Sequence, residues 1–228
     1  MKPLEQDDIW IAVDTYLTDK LVGDDPALDA ALKDSAAAGL PPINVSPTQG
    51  KLLMLLAQSI GATRILEIGT LGGYSAIWLA RALPEGGRLV TLEADPAYAE
   101  LARANLARAG LTDRVEVRIG RAQDTLPKMI AEGAGPFDLT FIDADKPSTP
   151  EYFQWAIELS RTGSLIVVDN VVREGDIIEA RSDNPHIKGL RRFFDLAAAD
   201  PRITGTAIQT VGAKGHDGLA ILRVIAGR

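Results

Sequence analysis

The chain has 228 residues, 46% hydrophobic and 24% charged, which places it in the ordinary globular range with enough apolar material for one substantial core. It contains no cysteine, so a disulfide framework, a cysteine zinc cluster and a thiol nucleophile are all excluded. A net charge of -7 and a pI near 4.9 would impose an electrostatic penalty on a polyanion, which argues against nucleic acid as a partner.

In chain order, the opening "MKPLEQDDIW" carries acids where an export signal has a basic and then an apolar stretch. No later run approaches the ~18 apolar residues of a membrane helix, so a soluble, cytoplasmic protein is expected. Helix-like spacing runs from about Asp7 to Val22 and from Pro26 to Gly39. "LPPINVSP" then breaks the chain with three prolines and leaves Ser46 as the N-cap of a helix through Ile60. These first 60 residues read as a helical cap within a single domain spanning residues 1–228.

After Gly61, short apolar runs alternate with amphipathic stretches: "RILEIG", "RLVTLEA", "RVEVRIG", "FDLTFIDA" and "SLIVVDN" read as strands with helices between them. That alternation predicts an α/β, doubly wound, mostly parallel sheet covered on both faces. "LTFI" and "LIVV" are apolar throughout, as central strands are, whereas "VEVRI" alternates like an outer one. At the end, "ITGTAIQTV" and "GLAILRVI" flank the glycine-rich "GAKGHDG", which predicts a hairpin and an antiparallel edge.

"ILEIGTLGGYSAIWLARAL" is a strand, a glycine turn and a helix, the nucleotide-binding opening of such a sheet. Gly69, Gly72 and Gly73 do not have GxGxxG spacing, and Glu67 stands two residues before the first glycine, where a carboxylate would repel a pyrophosphate. An ammonium or sulfonium would be welcome there. Glu93 ends the second strand 20 residues after Gly73, where an acid commonly holds ribose hydroxyls. Adenosine at one end and a cationic amino acid at the other describe S-adenosylmethionine.

Ligands of an open parallel sheet bind outside the carboxyl ends of its strands. Asp143 ends "LTFID", and Asp169 with Asn170 ends "LIVVDN". If these strands are neighbours, two carboxylates and an amide converge, a donor set that suits Mg²⁺, with Ca²⁺ or Mn²⁺ as alternatives, and disfavours zinc or copper. Lys146 lies three residues after Asp143, and a lysine beside a cation in a partly desolvated cleft is a candidate general base.

Together, "EIGTLGGYS", "GRAQDTLP", "FIDADK" and "VVDN" closely resemble the cation-dependent O-methyltransferases of the catechol and caffeoyl-coenzyme A type, and the tail "IQTVGAKGHDGLAIL" resembles their smaller bacterial members. The resemblance runs from about Val45 to the C-terminus. It implies seven strands with a reversed last strand, and a homodimer. By position it implies that Val45, Glu67, Gly69, Thr70, Ser75, Glu93 and Ala122 contact S-adenosylmethionine. It likewise implies that Asp143, Asp169 and Asn170 hold the cation and that Lys146 is the base. Val45, Ser75 and Ala122 rest on the resemblance alone. A phenol with a pKa near ~10 needs such activation at neutral pH, and chelation favours acceptors with vicinal aromatic hydroxyls.

The chain departs from that family at Pro147, Ser148 and Thr149, where an asparagine and a tyrosine are common; the change is expected to alter the lip of the site and the shape of the acceptor. "VVREGDIIEARSDNPHIKG" reads as a long polar loop and a substrate lid, in which Arg173 meets either solvent or an acidic substrate. His186 and His216 read as surface residues in turns, Trp10, Trp78 and Trp155 as core or interface, and the sequon at Asn44 as unused. The rival readings are a nicotinamide-dependent oxidoreductase on the same fold and a non-catalytic S-adenosylmethionine-binding protein.

Overall fold

The computed structural model describes residues 5–226; the first four residues of the acidic opening lie outside them. Three helices come first: α1 (Gln6–Leu17), α2 (Pro26–Ala37) and α3 (Pro47–Ser59). α1 runs on into a single wider turn over Thr18–Val22, so the expected helix to Val22 is present with looser winding at its end. Ser46 caps α3 as expected: its hydroxyl accepts from the Gln49 amide while the Gln49 side chain accepts from the Ser46 amide.

The alternating part follows as β1 (Arg64–Ile68), α4 (Tyr74–Ala82), β2 (Arg88–Glu93), α5 (Pro96–Arg108), β3 (Val115–Ile119), α6 (Ala122–Ala131), β4 (Phe137–Ile142), α7 (Thr149–Glu158), β5 (Ser160–Asp169), α8 (Pro185–Ala199), β6 (Ile203–Gly212) and β7 (Gly215–Val224). The seven strands form one sheet in the order β3-β2-β1-β4-β5-β7-β6. β1 to β5 are parallel, and β7 is antiparallel to both of its neighbours. The reversed last strand is therefore present, but it lies inside the sheet and β6 forms the edge. β3, with its alternating sequence, is the opposite edge.

Successive residues of the central strands feed opposite faces. Ile65, Leu139, Phe141 and Val167 pack with Leu53, Ile77 and Leu79 on one side. Leu66, Ile68, Ile142 and Val168 pack with Leu126, Phe153 and Phe193 on the other. Every residue of β4 is buried, so the strand that leads to Asp143 is clamped on both faces.

Two expectations change. β5 begins at Ser160 rather than Ser164, because a register shift lets Ser160 pair with Phe137 before Leu165 pairs with Leu139. The presumed lid is not structureless. It holds a 3₁₀ turn at Asp176–Ile178, and its "NPHIKG" end starts α8, with Asn184 as N-cap accepting from the His186 amide and Pro185 in the first turn. His186 is thus an exposed helical residue, and His216 is a strand residue whose Nε2 meets Gln209 Oε1 at 2.8 Å. Of the tryptophans, Trp78 is buried and the other two are half-buried. Among the described residues no helix is long and apolar enough to cross a membrane.

Candidate active site

The turn after β1 is built for close approach. Gly69 has φ 100°, and a Cβ there would overlap the Asp143 carbonyl oxygen and sit 2.9 Å from its carbon, so only glycine lets the turn cross the end of β4. Its amides do not form an empty anion cradle. Glu93 Oε2 accepts from Leu71 N at 2.8 Å and Thr70 N at 3.3 Å, and Oε1 accepts from Asp95 N at 3.0 Å. A carboxylate on these donors disfavours a pyrophosphate at the same place, which counts against the nicotinamide reading.

Glu67 lies in the middle of the sheet, fully buried. Thr91 Oγ1 donates to its Oε2 at 2.6 Å, and Oε1 has no hydrogen-bond partner among the described residues. Burial pushes its pKa up to about 8, against the pull of the neighbouring Ser75 and Thr91 hydroxyls and with help from the charges of Asp143 and Glu93.

β4 and β5 are hydrogen-bonded neighbours whose last paired residues are Ile142 and Val168, so Asp143 and Asp169 each follow one step later on the same sheet edge. Lys146, 6% exposed, donates from Nζ to Asp143 Oδ1 at 2.8 Å. Asp169 is 3% exposed; its pKa is raised to about 7, first by burial and then by the charge of Asp143, with Lys146 opposing both. Asn170 is held at φ 56°, with its amide donating to Asp169 Oδ1 at 2.8 Å. Among the described residues no three His, Cys, Asp or Glu side chains gather as a metal group. The trio offers instead two crowded carboxylates and an amide, all oxygen donors, which fits a hard divalent cation and no softer metal.

Two cavities open at this edge. One, of about 640 Å³, is lined by Val45, Gly69, Thr70, Ser75, Glu93, Ala122, Asp143, Lys146 and Asn170. The other, of about 610 Å³, is lined by Asp169, Asn170, Val45, Arg173 and the β6–β7 hairpin around Lys214. Val45, Asn170 and Arg173 line both. Of the residues expected to hold donor, cation or proton, Glu67 alone lines neither cavity; it is buried beside Ser75, which lines the first.

The departure at Pro147, Ser148 and Thr149 does not shape the lip. None of the three lines either cavity, and Ser148 and Thr149 are buried. Ser148 Oγ instead accepts from Gln123 Nε2 at 2.6 Å, tying this turn to the start of α6. Asp145 caps the same turn through Ser148 N and accepts from Tyr152 Oη at 2.5 Å. Gln123 and Tyr152 line the first cavity and were missed in the sequence, where nothing marks them off from ordinary helix residues.

The profile of the O-methyltransferase family matches residues 19–225. A catechol O-methyltransferase of Mycobacterium tuberculosis is 57% identical over 212 residues, which span 93% of this chain and 94% of the relative. One of Niastella koreensis is 54% identical over 213 residues, 93% of this chain and 96% of the relative. The crystal structure of an O-methyltransferase from Bacillus cereus in complex with SAH superposes with a TM-score of 0.94 at 56% identity, covering 95% of this chain and 98% of the other. With fold and sequence agreeing over nearly its whole length, this chain belongs to the O-methyltransferase family.

Proposed function

We propose that the protein transfers the methyl group of S-adenosylmethionine to one hydroxyl of a catechol-like acceptor, with a divalent cation, Mg²⁺ foremost, held by Asp143, Asp169 and Asn170. The observation that carries this reading is the position of that trio between two cavities: Asp143 lines one, Asp169 the other, and Asn170 both. A donor in the first and an acceptor in the second would meet there.

In the donor cavity, Glu93 would hold the ribose hydroxyls, and Ala122 would lie at the adenine. Val45, Gly69, Thr70 and Ser75 would surround the methionine end, and the buried Glu67 would ionise as the cationic donor enters. The cation, when bound, would acidify and orient the vicinal oxygens of the acceptor. Lys146 Nζ would take the phenolic proton. The phenolate oxygen would then attack the methyl carbon in line with sulfur, so that the C–O bond forms as the C–S bond breaks and a neutral thioether leaves.

Catechol methylation with and without chelator tests this, alongside Asp143→Ala and thermal shifts with S-adenosylmethionine and NAD. Loss of transfer in chelator and in the variant is expected, with stabilisation by the sulfonium donor only. Undiminished transfer in both would remove the cation from the reaction.

The protein is further proposed to act as a homodimer in the cytoplasm. A sequence without cysteine needs no oxidising compartment, and α1 buries none of its residues while Ile9, Ile11, Val13 and Tyr16 stand exposed, as an interface helix would. Light scattering of the wild type and of Ile11→Asp would read the oligomeric state; a monomeric wild type would exclude the dimer.

A further inference from the structure

Arg173 begins the segment after β5 in a conformation that L-residues rarely adopt. Its φ is 57°, and that of Glu174 is 56°. Two adjacent non-glycine residues in the left-handed region are costly unless their surroundings enforce it. β7 provides that enforcement. Asp217 Oδ1 accepts from Val172 N and Arg173 N, both at 3.0 Å, and Glu174 both donates to His216 O at 2.9 Å and accepts from His216 N at 3.1 Å.

What this arrangement fixes in place is a half-buried guanidinium on the wall shared by the two cavities. Among the described residues it meets no hydrogen-bond or ion-pair partner. The nearby acids are otherwise engaged: Asp217 and Glu174 by β7 as above, and Asp14 by the Ala213 amide at 2.8 Å. Asp176, on the same wall, is exposed to solvent. The Arg173 guanidinium therefore leaves its donors unspent, on a wall whose acids, Asp169 among them, carry most of the charge. Lys214 is a second cation on this wall, with only one of its donors used, on Pro42 O at 2.8 Å.

We infer that Arg173 selects acceptors whose aromatic ring carries a carboxylate. The inference rests on the catechol reading above and narrows it. A guanidinium fork pairs with a planar carboxylate through two parallel hydrogen bonds, and in a partly desolvated cleft an unmatched guanidinium gains most from such an anion.

The experiment compares kcat/KM for 3,4-dihydroxybenzoate, its neutral amide and 3,4-dihydroxybenzylamine, in the wild type and in Arg173→Gln, Arg173→Lys and Arg173→Glu. The wild type should favour the benzoate over the amide by about tenfold, the scale of one charge-assisted hydrogen bond. Arg173→Gln should bring that ratio near one with donor KM unchanged, Arg173→Lys should keep part of it, and Arg173→Glu should favour the amine. Equal wild-type turnover of all three overturns the inference and leaves catechol methylation standing; no turnover of any overturns both. A rise in donor KM alone, the same for every acceptor, would assign Arg173 to the carboxylate of the donor instead and also overturn it.

Discussion

A Cβ on Gly189 would overlap the carbonyl oxygen of Lys146 and lie 2.8 Å from Pro147 Cα. α8 thus presses its backbone directly onto the turn that carries the proposed base, and Gly189 is what allows the contact.

Gly189→Ala separates propensity from position. In a free helix the change is worth about 1 kcal/mol in favour of alanine. Here it must push Lys146 away from Asp143, and a shift near 1 Å at a reacting group costs on the order of a hundredfold in rate. The expected variant folds, binds S-adenosylmethionine with little change, and loses most of its kcat; donor affinity by calorimetry and steady-state kinetics measure both. Wild-type kcat in the variant would show that Lys146 has room to move without consequence.

The bond between Gln123 and Ser148 gives the departure from the family a second outcome. Ser148→Ala leaves the Gln123 amide without its 2.6 Å partner at the edge of the donor cavity. A net loss of about 1 kcal/mol is expected, read as a several-fold rise in donor KM. Relative rates over a set of catechols should not move, because Ser148 does not touch the second cavity.

Strand ends were legible in the sequence because burial on both faces forces apolar runs such as "LTFI" and "LIVV" to stop where polar residues begin; Asp143, Asp169 and Glu93 are those stopping points. Ser46 was legible because a capping box is a local pattern. For Arg173 the sequence left solvent and an acidic substrate as equal readings, since its conformation depends on Asp217 and His216 more than forty residues away. The role of Ser148 was misjudged for a related reason: its partner Gln123 comes from another helix, and position next to "DADK" says nothing about which way a turn faces. Asn184 and Pro185, by contrast, announced α8 by an ordinary N-terminal pattern and were overlooked among the surrounding charges.

Glu67 makes the stability of the protein, without donor or cation, depend on pH. Its pKa rises from 4.5 in the unfolded chain to about 8 in the fold, chiefly through burial. The folded state therefore holds its proton more tightly, so its contribution is intact below about 4.5 and is lost progressively as the pH rises to about 8. Asp169 acts in the same direction, so the informative quantity is the difference between wild type and Glu67→Gln. The variant should gain on the wild type as pH rises across that window, by a few kcal/mol at the upper end on the scale of ~1.4 kcal/mol per pKa unit. Denaturant unfolding at pH 5, 7 and 9 measures it; parallel curves would mean that Glu67 is ionised at neutral pH even in the empty site.

β4 carries one acid near each end, and the two should fail differently. Asp138, its second residue, is 5% exposed, and although burial works to raise its pKa, its hydrogen bonds hold it below the usual carboxylate range. Oδ2 accepts from Thr63 N at 2.8 Å, Thr63 Oγ1 at 2.9 Å and Arg64 N at 3.0 Å, and Oδ1 accepts from the Arg161 guanidinium at 2.6 Å. This carboxylate staples the starts of β1, β4 and β5, at the end of the sheet remote from both cavities. Asp138→Ala leaves those donors unmatched and should cost about 3 kcal/mol of stability. Because its folded pKa is depressed, the wild-type advantage should be complete above the ordinary carboxylate pKa and shrink as the pH falls below it. At temperatures where both remain folded, kcat and both KM values should match the wild type. Asp143→Ala should show the reverse, lost activity with the fold retained, since its partner Lys146 then remains at a site open to water on one side. If Asp138→Ala also lowers kcat while fully folded, the rigid strand between the two acids transmits more than position.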